Sequence, residues 1–185
     1  MTFTETSIKG VFIVDLERRE DNRGFFARSW CAREFQLQGL TSMSMQSNVG
    51  FSHKAGTLRG VHYQRPPDEE AKLVRCTMGE VFDVAVDLRP ASPSYRQWFG
   101  VTLTAHSHKM LYIPEGCAHG YQTLTDNSEL CYQTSKVYCA ESASGVRFDD
   151  PAFGIHWPVE VRVISEADRS WPSYTLQESY QETSI

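Results

Sequence analysis

Apolar and polar residues alternate along several short segments of this chain. In the segment 80–88, EVFDVAVDL, apolar side chains fall at every second position from Phe82 to Leu88, while Asp83 and Asp87 fall on the opposite face. A period of two is typical of a β-strand. Similar segments predict further strands over 72–76, 99–104, 109–113, 129–134 and 161–164. Because clusters of Pro, Gly, Asn and Asp separate these segments, the pattern predicts an all-β sandwich or barrel.

One helix is predicted outside the sheets, over residues 29–38. Ser29 is a suitable N-cap, and Gly39 is a suitable C-terminal cap. The chain has 185 residues and shows neither a repeat nor a linker, so we expect a single domain over residues 1–185. Residues 175–185 are polar, and we expect them to form a loosely ordered tail.

Charge and composition narrow the classes of partner. With 18 Lys+Arg and 23 Asp+Glu, the formal net charge is -5, which argues against nucleic acid because phosphate binding needs a basic surface. The sequence has no apolar run near the roughly 18 residues of a membrane span, and its N-terminus lacks a signal-peptide core. We therefore expect a soluble, cytoplasmic protein. Its five scattered cysteines predict reduced, mostly buried thiols, with Cys117 beside His119 as a candidate nucleophile.

The string Pro114-Glu115-Gly116-Cys117-Ala118-His119 is similar to the second motif of cupin barrels, in which a tight turn precedes a histidine. The corresponding first motif of metal cupins has the form H-x-H. Here it holds His62, but Gln64 replaces the second histidine. A transition metal would then have only His62, His119 and a carboxylate as ligands, so we expect no metal.

Several other polar residues have both a structural and a functional interpretation. Asp83 and Asp87 on an apolar strand need partners, either Arg or Lys on adjacent strands or a ligand. Tyr132 lies within a predicted strand, where a tyrosine usually packs in the core with its hydroxyl hydrogen-bonded. A basic set would suit an anionic ligand such as a phosphate, or would pair with acidic neighbours; it comprises Arg23, Arg59, Lys72 and Arg75.

Taken together, the strings of this chain resemble those of the dTDP-4-dehydrorhamnose 3,5-epimerase family. The resemblance extends from about residue 7 to about residue 174, in order and with near-constant spacing. The resemblance implies a cofactor-independent, cupin-type jelly roll with a few short peripheral helices. It also implies a homodimer that inverts carbons 3 and 5 of a nucleoside-diphosphate 4-keto-6-deoxyhexose. The matching strings are 21–26 (DNRGFF), 46–48 (QSN), 56–64 (GTLRGVHYQ), 71–75 (AKLVR), 81–89 (VFDVAVDLR), 112–121 (YIPEGCAHGY) and 165–168 (SEAD).

The resemblance also implies roles for individual residues. His62 matches the catalytic base, and Asp168 matches the carboxylate that orients its imidazole. Tyr132 matches the proton donor on the opposite face of the sugar, and Lys72 matches the group near the C4 oxygen. Further positions match groups that contact the diphosphate, the sugar or other parts of the substrate: Arg59, His119, Arg23, Phe26, Gln46, Asn48 and Tyr138.

One spacing conflicts with a regular strand. Arg59 and His62 are three residues apart, so a flat strand would place them on opposite faces. Gly60 lies between them, and a glycine within a strand often marks a bulge or a local twist. We therefore expect an irregularity at Gly60 that brings both side chains to one side.

Departures from the family pattern leave parts of the function open. Arg28 and Ala143 stand where many members have Glu, Ala167 where the family often has Lys, and Gly50 where it often has Ser. We expect dTDP as the nucleotide, with CDP and GDP as alternatives, and inversion at C3, C5 or both. Two other functions remain as hypotheses at this point: a metal-dependent cupin enzyme and a non-catalytic module that binds a sugar nucleotide.

Overall fold

The computed structural model describes residues 1–174, so the predicted tail over 175–185 lies outside the described residues. Within residues 1–174, no helix combines the length and apolar character needed to cross a membrane. In that range, the chain forms the strands β1 (Thr2–Glu5), β2 (Phe12–Asp15), β3 (Arg19–Asp21), β4 (Gly24–Phe26), β5 (Gln46–Ser52), β6 (Leu58–Gln64), β7 (Lys72–Met78), β8 (Glu80–Asp87), β9 (Trp98–Thr104), β10 (Met110–Ile113), β11 (Cys117–Thr123), β12 (Ser128–Thr134) and β13 (Ala143–Gly145), and the helices α1 (Ala32–Leu37) and α2 (Glu166–Arg169).

Most of these strands form two antiparallel sheets. One sheet has the order β1-β2-β10-β7-β12-β5 and the other has the order β13-β6-β11-β8-β9, while β3 and β4 form a separate hairpin. The main apolar core lies between the two sheets, where Val74, Leu111 and Leu130 of the first sheet pack with Ala85 and Leu103 of the second. The predicted all-β jelly roll is therefore confirmed.

The predicted elements agree with the structure except at two places. Helix α1 begins after Cys31 rather than after Ser29, because Cys31 still has an extended backbone with φ -156° and ψ 118°. Gly39 has φ +71°, as expected of a C-terminal cap. The prediction of a strand over 161–164 is wrong. Only an isolated parallel bridge joins Val163 to Thr57 there, because the segment reaches the sheet at one position and then leaves it.

The five cysteines are all unbridged. Cys76 and Cys117 are buried, but Cys31, Cys131 and Cys139 are only partly so, which means that the prediction of mostly buried thiols holds for two of the five. Burial raises the pKa of the Cys117 thiol to about 12. The thiol is therefore protonated near neutral pH, and Cys117 is a poor candidate for a nucleophile.

Asp87, at the end of β8, is fully buried and holds a loop in place. Its carboxylate accepts hydrogen bonds from the backbone N–H and the guanidinium of Arg89 and from the hydroxyls of Ser92 and Ser94. Burial alone would raise the pKa of Asp87, but these hydrogen bonds outweigh it and lower the pKa. The expected partner on an adjacent strand is wrong, since Arg89 lies only two residues further along the chain.

Asp87→Asn is expected to lower the free energy of unfolding by about 3 kcal/mol at neutral pH, because Arg89 loses its buried counter-ion. The lowered pKa means that this stabilisation is present above the ordinary carboxyl value of about 3.9 and is lost as the pH falls through the folded-state value. Urea unfolding of the parent protein and of Asp87→Asn at a series of pH values measures this difference in the free energy of unfolding. Asp149→Asn is the matched control, because Asp149 pairs with Arg147 at the surface and its loss should cost below about 1 kcal/mol. Equal losses for the two variants would contradict the prediction.

Candidate active site

A cavity of about 780 Å³ lies between the two sheets. Strands β5, β7 and β12 of the six-stranded sheet contribute to one wall, and β6, β11 and β13 of the five-stranded sheet contribute to the other. Helix α2 and the residues after it cover part of the cavity. Seven of the eleven predicted site residues line it: Arg59, His62, Lys72, His119, Tyr132, Tyr138 and Asp168.

His62 and Asp168 form a close pair at this cavity. Nε2 of His62 on β6 lies 2.5 Å from Oδ1 of Asp168 on α2, and the second oxygen of Asp168 accepts the N–H of Gly60 at 3.3 Å. The His62 side chain is 47% exposed, whereas Asp168 is buried behind it. Burial alone would raise the pKa of Asp168, but the hydrogen bonds to His62 and Gly60 help to lower it. An ionised carboxylate therefore fixes the ring of His62 through Nε2, at the wall of the cavity.

The backbone at Gly60 accounts for the shared orientation of Arg59 and His62. Gly60 has φ +129°, and the pairing of β6 with β11 shifts register opposite it, between His119 and Tyr121. Both Arg59 and His62 consequently line the cavity. The predicted irregularity at Gly60 is confirmed, and a Cβ atom there would lie 2.5 Å from Cα of Gly120.

Gly60→Ala is expected to lower the free energy of unfolding by about 3 kcal/mol, because the new methyl group meets both an unfavourable positive φ and the facing backbone. Chemical denaturation measures the loss. Gly24→Ala is the matched control, since Gly24 has φ +124° but no atom within 4 Å of the added Cβ. We expect that variant to lose only about 1 kcal/mol. Similar losses at the two positions would show that the contact with Gly120 is unimportant.

Tyr132 and Lys72 reach the cavity from the sheet opposite His62. Lys72 is buried, and its Nζ lies 3.3 Å from the carbonyl oxygen of His62 and 3.1 Å from Oε1 of Glu70. Burial raises the pKa of Tyr132, the charge of Glu70 raises it further, and Arg59 opposes both. The Tyr132 phenol is therefore protonated at neutral pH. A proton acceptor and a proton donor thus face one cavity from different sheets, with a cationic group beside them.

A second imidazole–carboxylate pair lies deeper in the same cavity. Nε2 of His119 is 2.7 Å from Oδ1 of the fully buried Asp83, and the His119 ring stacks on Tyr121 with centroids 6.2 Å apart. The expected Arg or Lys partner of Asp83 is wrong, because its partner is this histidine. The pair fixes the orientation of His119 at the cavity wall.

Gln64, at the position of the second histidine in metal cupins, is hydrogen-bonded to the backbone. Its amide nitrogen donates to the carbonyl oxygen of Asp68 at 2.8 Å, and its amide oxygen accepts the N–H of Cys139 at 2.6 Å. Within residues 1–174, the structure has no group of three or more His, Cys, Asp or Glu side chains placed to hold a metal ion.

Only part of the predicted basic set lies at the cavity. Arg59 lines it, with its guanidinium donating to the carbonyl oxygen of Phe51 and to the hydroxyl of Ser52. Arg75 lies instead on the outer face of the six-stranded sheet, beside Trp30. Arg23 is on the exposed β3–β4 hairpin, paired with Asp21. Within this chain, Arg59 and Lys72 therefore reach the cavity and Arg23 and Arg75 do not, and binding of an anionic ligand by this set stays a prediction.

The remaining predicted binding residues fall into two groups. Gln46 and Asn48 lie on β5 beside the cavity; they hydrogen-bond to each other, and Gln46 also accepts the N–H of Tyr138 at the cavity wall. Phe26 lies with Arg23 on the β3–β4 hairpin and is 74% exposed. The chain does not bring these two hairpin residues into its own cavity.

Glu70 and Trp171 are two of the side chains in the cavity wall that the sequence did not mark as site residues. The ring centroid of Trp171 lies 6.4 Å from that of His62, edge to face. Trp171 could have been suspected from its position three residues after Asp168, and Glu70 from its position two residues before Lys72. Among the departures from the family pattern, Gly50, Ala143 and Ala167 line the cavity, whereas Arg28 pairs with Glu34 at the surface.

Comparison with known proteins gives a consistent assignment. The family model described as dTDP-4-dehydrorhamnose 3,5-epimerase matches residues 5–175. The enzyme of that name from Methanothermobacter thermautotrophicus is 42% identical over 172 residues, covering 91% of this chain and 92% of the relative. The crystal structure of the Bacillus anthracis enzyme of that name, with TDP and PPi bound, superposes with a TM-score of 0.89 at 36% identity, covering 94% and 99%.

A third relative has a narrower activity. A 3'-monoepimerase from Streptomyces bikiniensis, solved in complex with dTDP-quinovose, superposes with a TM-score of 0.82 at 31% identity, covering 91% of this chain and 85% of that one. The family match spans nearly the whole described chain, and the fold agrees with it. The predicted family and enzyme class are thus confirmed: the chain belongs to the dTDP-4-dehydrorhamnose 3,5-epimerase family of isomerases.

Proposed function

We propose that this chain inverts carbons 3 and 5 of a dTDP-linked 4-keto-6-deoxyhexose, without a cofactor. The observation that carries the proposal is the placement of His62 and Tyr132 on facing sheets of one cavity, with Lys72 beside them. Inversion at a carbon requires that a proton leave from one face and return to the other, so acid and base must face the sugar from opposite sides.

The first step is removal of a proton from the carbon next to the C4 ketone. His62 accepts it on the ring nitrogen that does not face Asp168, while Asp168 fixes the ring and stabilises the positive charge that forms. The electron pair of the broken C–H bond moves to the C4 oxygen and gives an enolate. Lys72, which reaches the cavity from β7, supplies the positive charge that stabilises this oxygen.

The second step is protonation of the enolate from the other face. Tyr132 donates its hydroxyl proton to the carbon, and the electron pair returns to re-form the ketone with inverted configuration. Tyr132 then carries the negative charge and His62 the positive charge. Transfer of a proton from His62 to Tyr132 through solvent restores both groups for the next step.

Two features support independence from a metal. The side-chain amide of Gln64 is hydrogen-bonded to the backbone. Nε2 of His62 and Nε2 of His119 each contact a carboxylate, that of Asp168 and that of Asp83. The enolate already has a cationic partner in Lys72. We therefore propose that added chelator leaves the rate unchanged. The metal-dependent alternative predicts stoichiometric iron, manganese or zinc in the purified protein and loss of activity with chelator.

Arg59 and His119 are the groups that would bind the diphosphate or the sugar, since both line the cavity and Arg59 carries a charged guanidinium. For the nucleoside we propose dTDP, supported by the TDP-bound relative from Bacillus anthracis. The small residues Gly50, Ala143 and Ala167 in the wall keep CDP and GDP as alternatives.

NMR of the products from dTDP-, CDP- and GDP-linked 4-keto-6-deoxyhexoses tests nucleotide and reaction together. We expect the dTDP-linked sugar to be inverted at both C3 and C5. Inversion at C3 alone would favour the activity named for the Streptomyces bikiniensis relative. Binding of a sugar nucleotide without any product would favour a non-catalytic module and overturn the proposal.

We further propose a homodimer, in which the β3–β4 hairpin of one copy brings Arg23 and Phe26 to the other copy. Its support is the exposure of Phe26 and of apolar side chains on the edge strand β5, where Phe51 is 37% exposed. Analytical ultracentrifugation should give twice the 21.1 kDa chain mass. Phe51→Glu should weaken the association, and a monomer at micromolar concentration would refute it.

A further inference from the structure

Glu70 lies at the cavity wall, two residues before Lys72, and has no place in the two proton transfers above. Its side chain is only 11% exposed. Oε1 lies 3.1 Å from Nζ of Lys72, and Oε2 accepts a long hydrogen bond from the amide of Gln64 at 3.4 Å. A carboxylate so close to the site of a developing enolate calls for an explanation, because its negative charge by itself would oppose that of the enolate.

We propose that Glu70 is a positioning residue, which holds the Lys72 ammonium against the His62 carbonyl and disfavours premature loss of the Tyr132 proton. The inference rests on the function proposed above. It assigns to one buried carboxylate the control of both groups that act on the sugar from the six-stranded sheet.

Lys72 is a cation that needs a partner at this position. Its side chain is 7% exposed, and an ammonium group buried to this extent is unfavourable without a counter-ion. Among residues 1–174, Glu70 is the carboxylate within ion-pairing distance of Lys72. The pair also fixes the long side chain of Lys72 in one direction, with Nζ 3.3 Å from the carbonyl oxygen of His62. Lys72 therefore has a counter-ion and a fixed position before the substrate arrives.

Tyr132 and Glu70 line the same cavity, and the pairing of β12 with β7 sets Tyr132 opposite Val74 and Thr134 opposite Lys72, two residues after Glu70. A negative charge nearby disfavours the tyrosinate form, and the pKa of Tyr132 is raised by burial first and by Glu70 second. Strand β5 contributes no titratable group to the cavity wall. Titratable and charged groups surround Tyr132 in the cavity wall. They are Arg59, His62 and Tyr63 on β6, Glu70 just before β7, Lys72 on β7, His119 and Tyr121 on β11, Tyr138 after β12 and Asp168 on α2. Asp83 lies behind His119.

Glu70→Gln removes the charge but retains the shape, so it separates the two roles from packing. We expect kcat to fall about tenfold with KM within about twofold, because an unpaired Lys72 loses its fixed position. Loss of the negative charge also lowers the pKa of Tyr132. The alkaline limb of the kcat profile should therefore move down by about one pH unit. Glu70→Asp, which keeps the charge, should restore the position of that limb.

Glu69→Gln is the matched control, because it makes the same chemical change one residue away and Glu69 does not line the cavity. We expect that variant to keep the parent profile. An alkaline limb that stays in place in Glu70→Gln, or that moves equally in Glu69→Gln, would overturn the inference.

A titration that needs no turnover separates this inference from the proposed function. The ultraviolet absorbance of tyrosinate is followed with pH in the parent and in Glu70→Gln, each with and without Tyr132→Phe, and the difference isolates Tyr132. We expect the Tyr132 transition to move to lower pH in Glu70→Gln. If the parent converts none of the sugar nucleotides, the proposed function fails while this shift still tests Glu70. If the parent is active and the shift is absent, only the role of Glu70 fails.

Discussion

His62→Ala is expected to reduce the rate of epimerisation by about 10³-fold, the largest effect of any single substitution in this cavity. This variant lacks the proposed base, and we expect neither Asp168 nor His119 to replace it, because Asp168 lies behind the ring and His119 is held by Asp83. The fold should be retained, since the His62 side chain is half exposed and makes its main contact with Asp168. Product formation followed by NMR measures the loss.

The control for this variant is His106→Ala, which removes an imidazole from an exposed turn between β9 and β10. We expect His106→Ala to keep the parent rate within about twofold. Far-ultraviolet circular dichroism and the unfolding midpoint show whether His62→Ala is folded. A folded His62→Ala protein with the parent rate would mean that the base has been assigned to the wrong residue.

Tyr132→Phe is expected to abolish inversion while leaving exchange of the sugar protons with solvent. In the proposed mechanism, His62 still removes the proton and Lys72 still stabilises the enolate, but the opposite face has lost its donor. The proton then returns on the side from which it left, with retained configuration. We expect a loss of inversion of about 10²–10³-fold and a much smaller loss of exchange.

NMR in deuterated water measures the inverted product and the deuterated starting sugar in the same sample. Tyr112→Phe is the control, because Tyr112 is a buried strand tyrosine that packs with Phe35 outside the cavity. We expect it to invert the sugar as the parent does. Equal losses of inversion and exchange in Tyr132→Phe would contradict its role as the donor on the opposite face.

The pattern of apolar and polar residues predicts a strand when its two faces differ in polarity or when most of its residues are apolar. Strands β8, β10 and β12 were found in this way. Strand β5, QSNVGFS, was not predicted, because its inward positions hold polar residues such as Gln46 and Asn48 while Val49 faces outward. Its strand conformation depends on pairing with β12, some eighty residues away, and local propensity carries no signal of that contact.

The candidate site residues were predicted from sequence strings that resemble those of a family. The spacing of residues along the chain would not by itself have predicted most of them. His62 and Asp168 are 106 residues apart, and only the fold joins them. Trp171 shows why such contacts escape prediction. Its indole packs on Gly145, where a Cβ atom would lie 2.4 Å away, and Gly145 pairs in register with His62. A glycine on one strand and an aromatic ring on another segment can be recognised as a pair only when the fold shows that they are adjacent.

We propose that His62 and Tyr132 exchange the protons on C3 and C5 and invert these carbons without help from a metal or an organic cofactor. Incubation of the parent protein with the dTDP-linked 4-keto-6-deoxyhexose in deuterated water, with excess chelator, tests it most directly. The account predicts deuterium at both C3 and C5 of the inverted product, at a rate that the chelator does not change. Inverted product without deuterium at these carbons, or a reaction that stops when chelator is added, would contradict it.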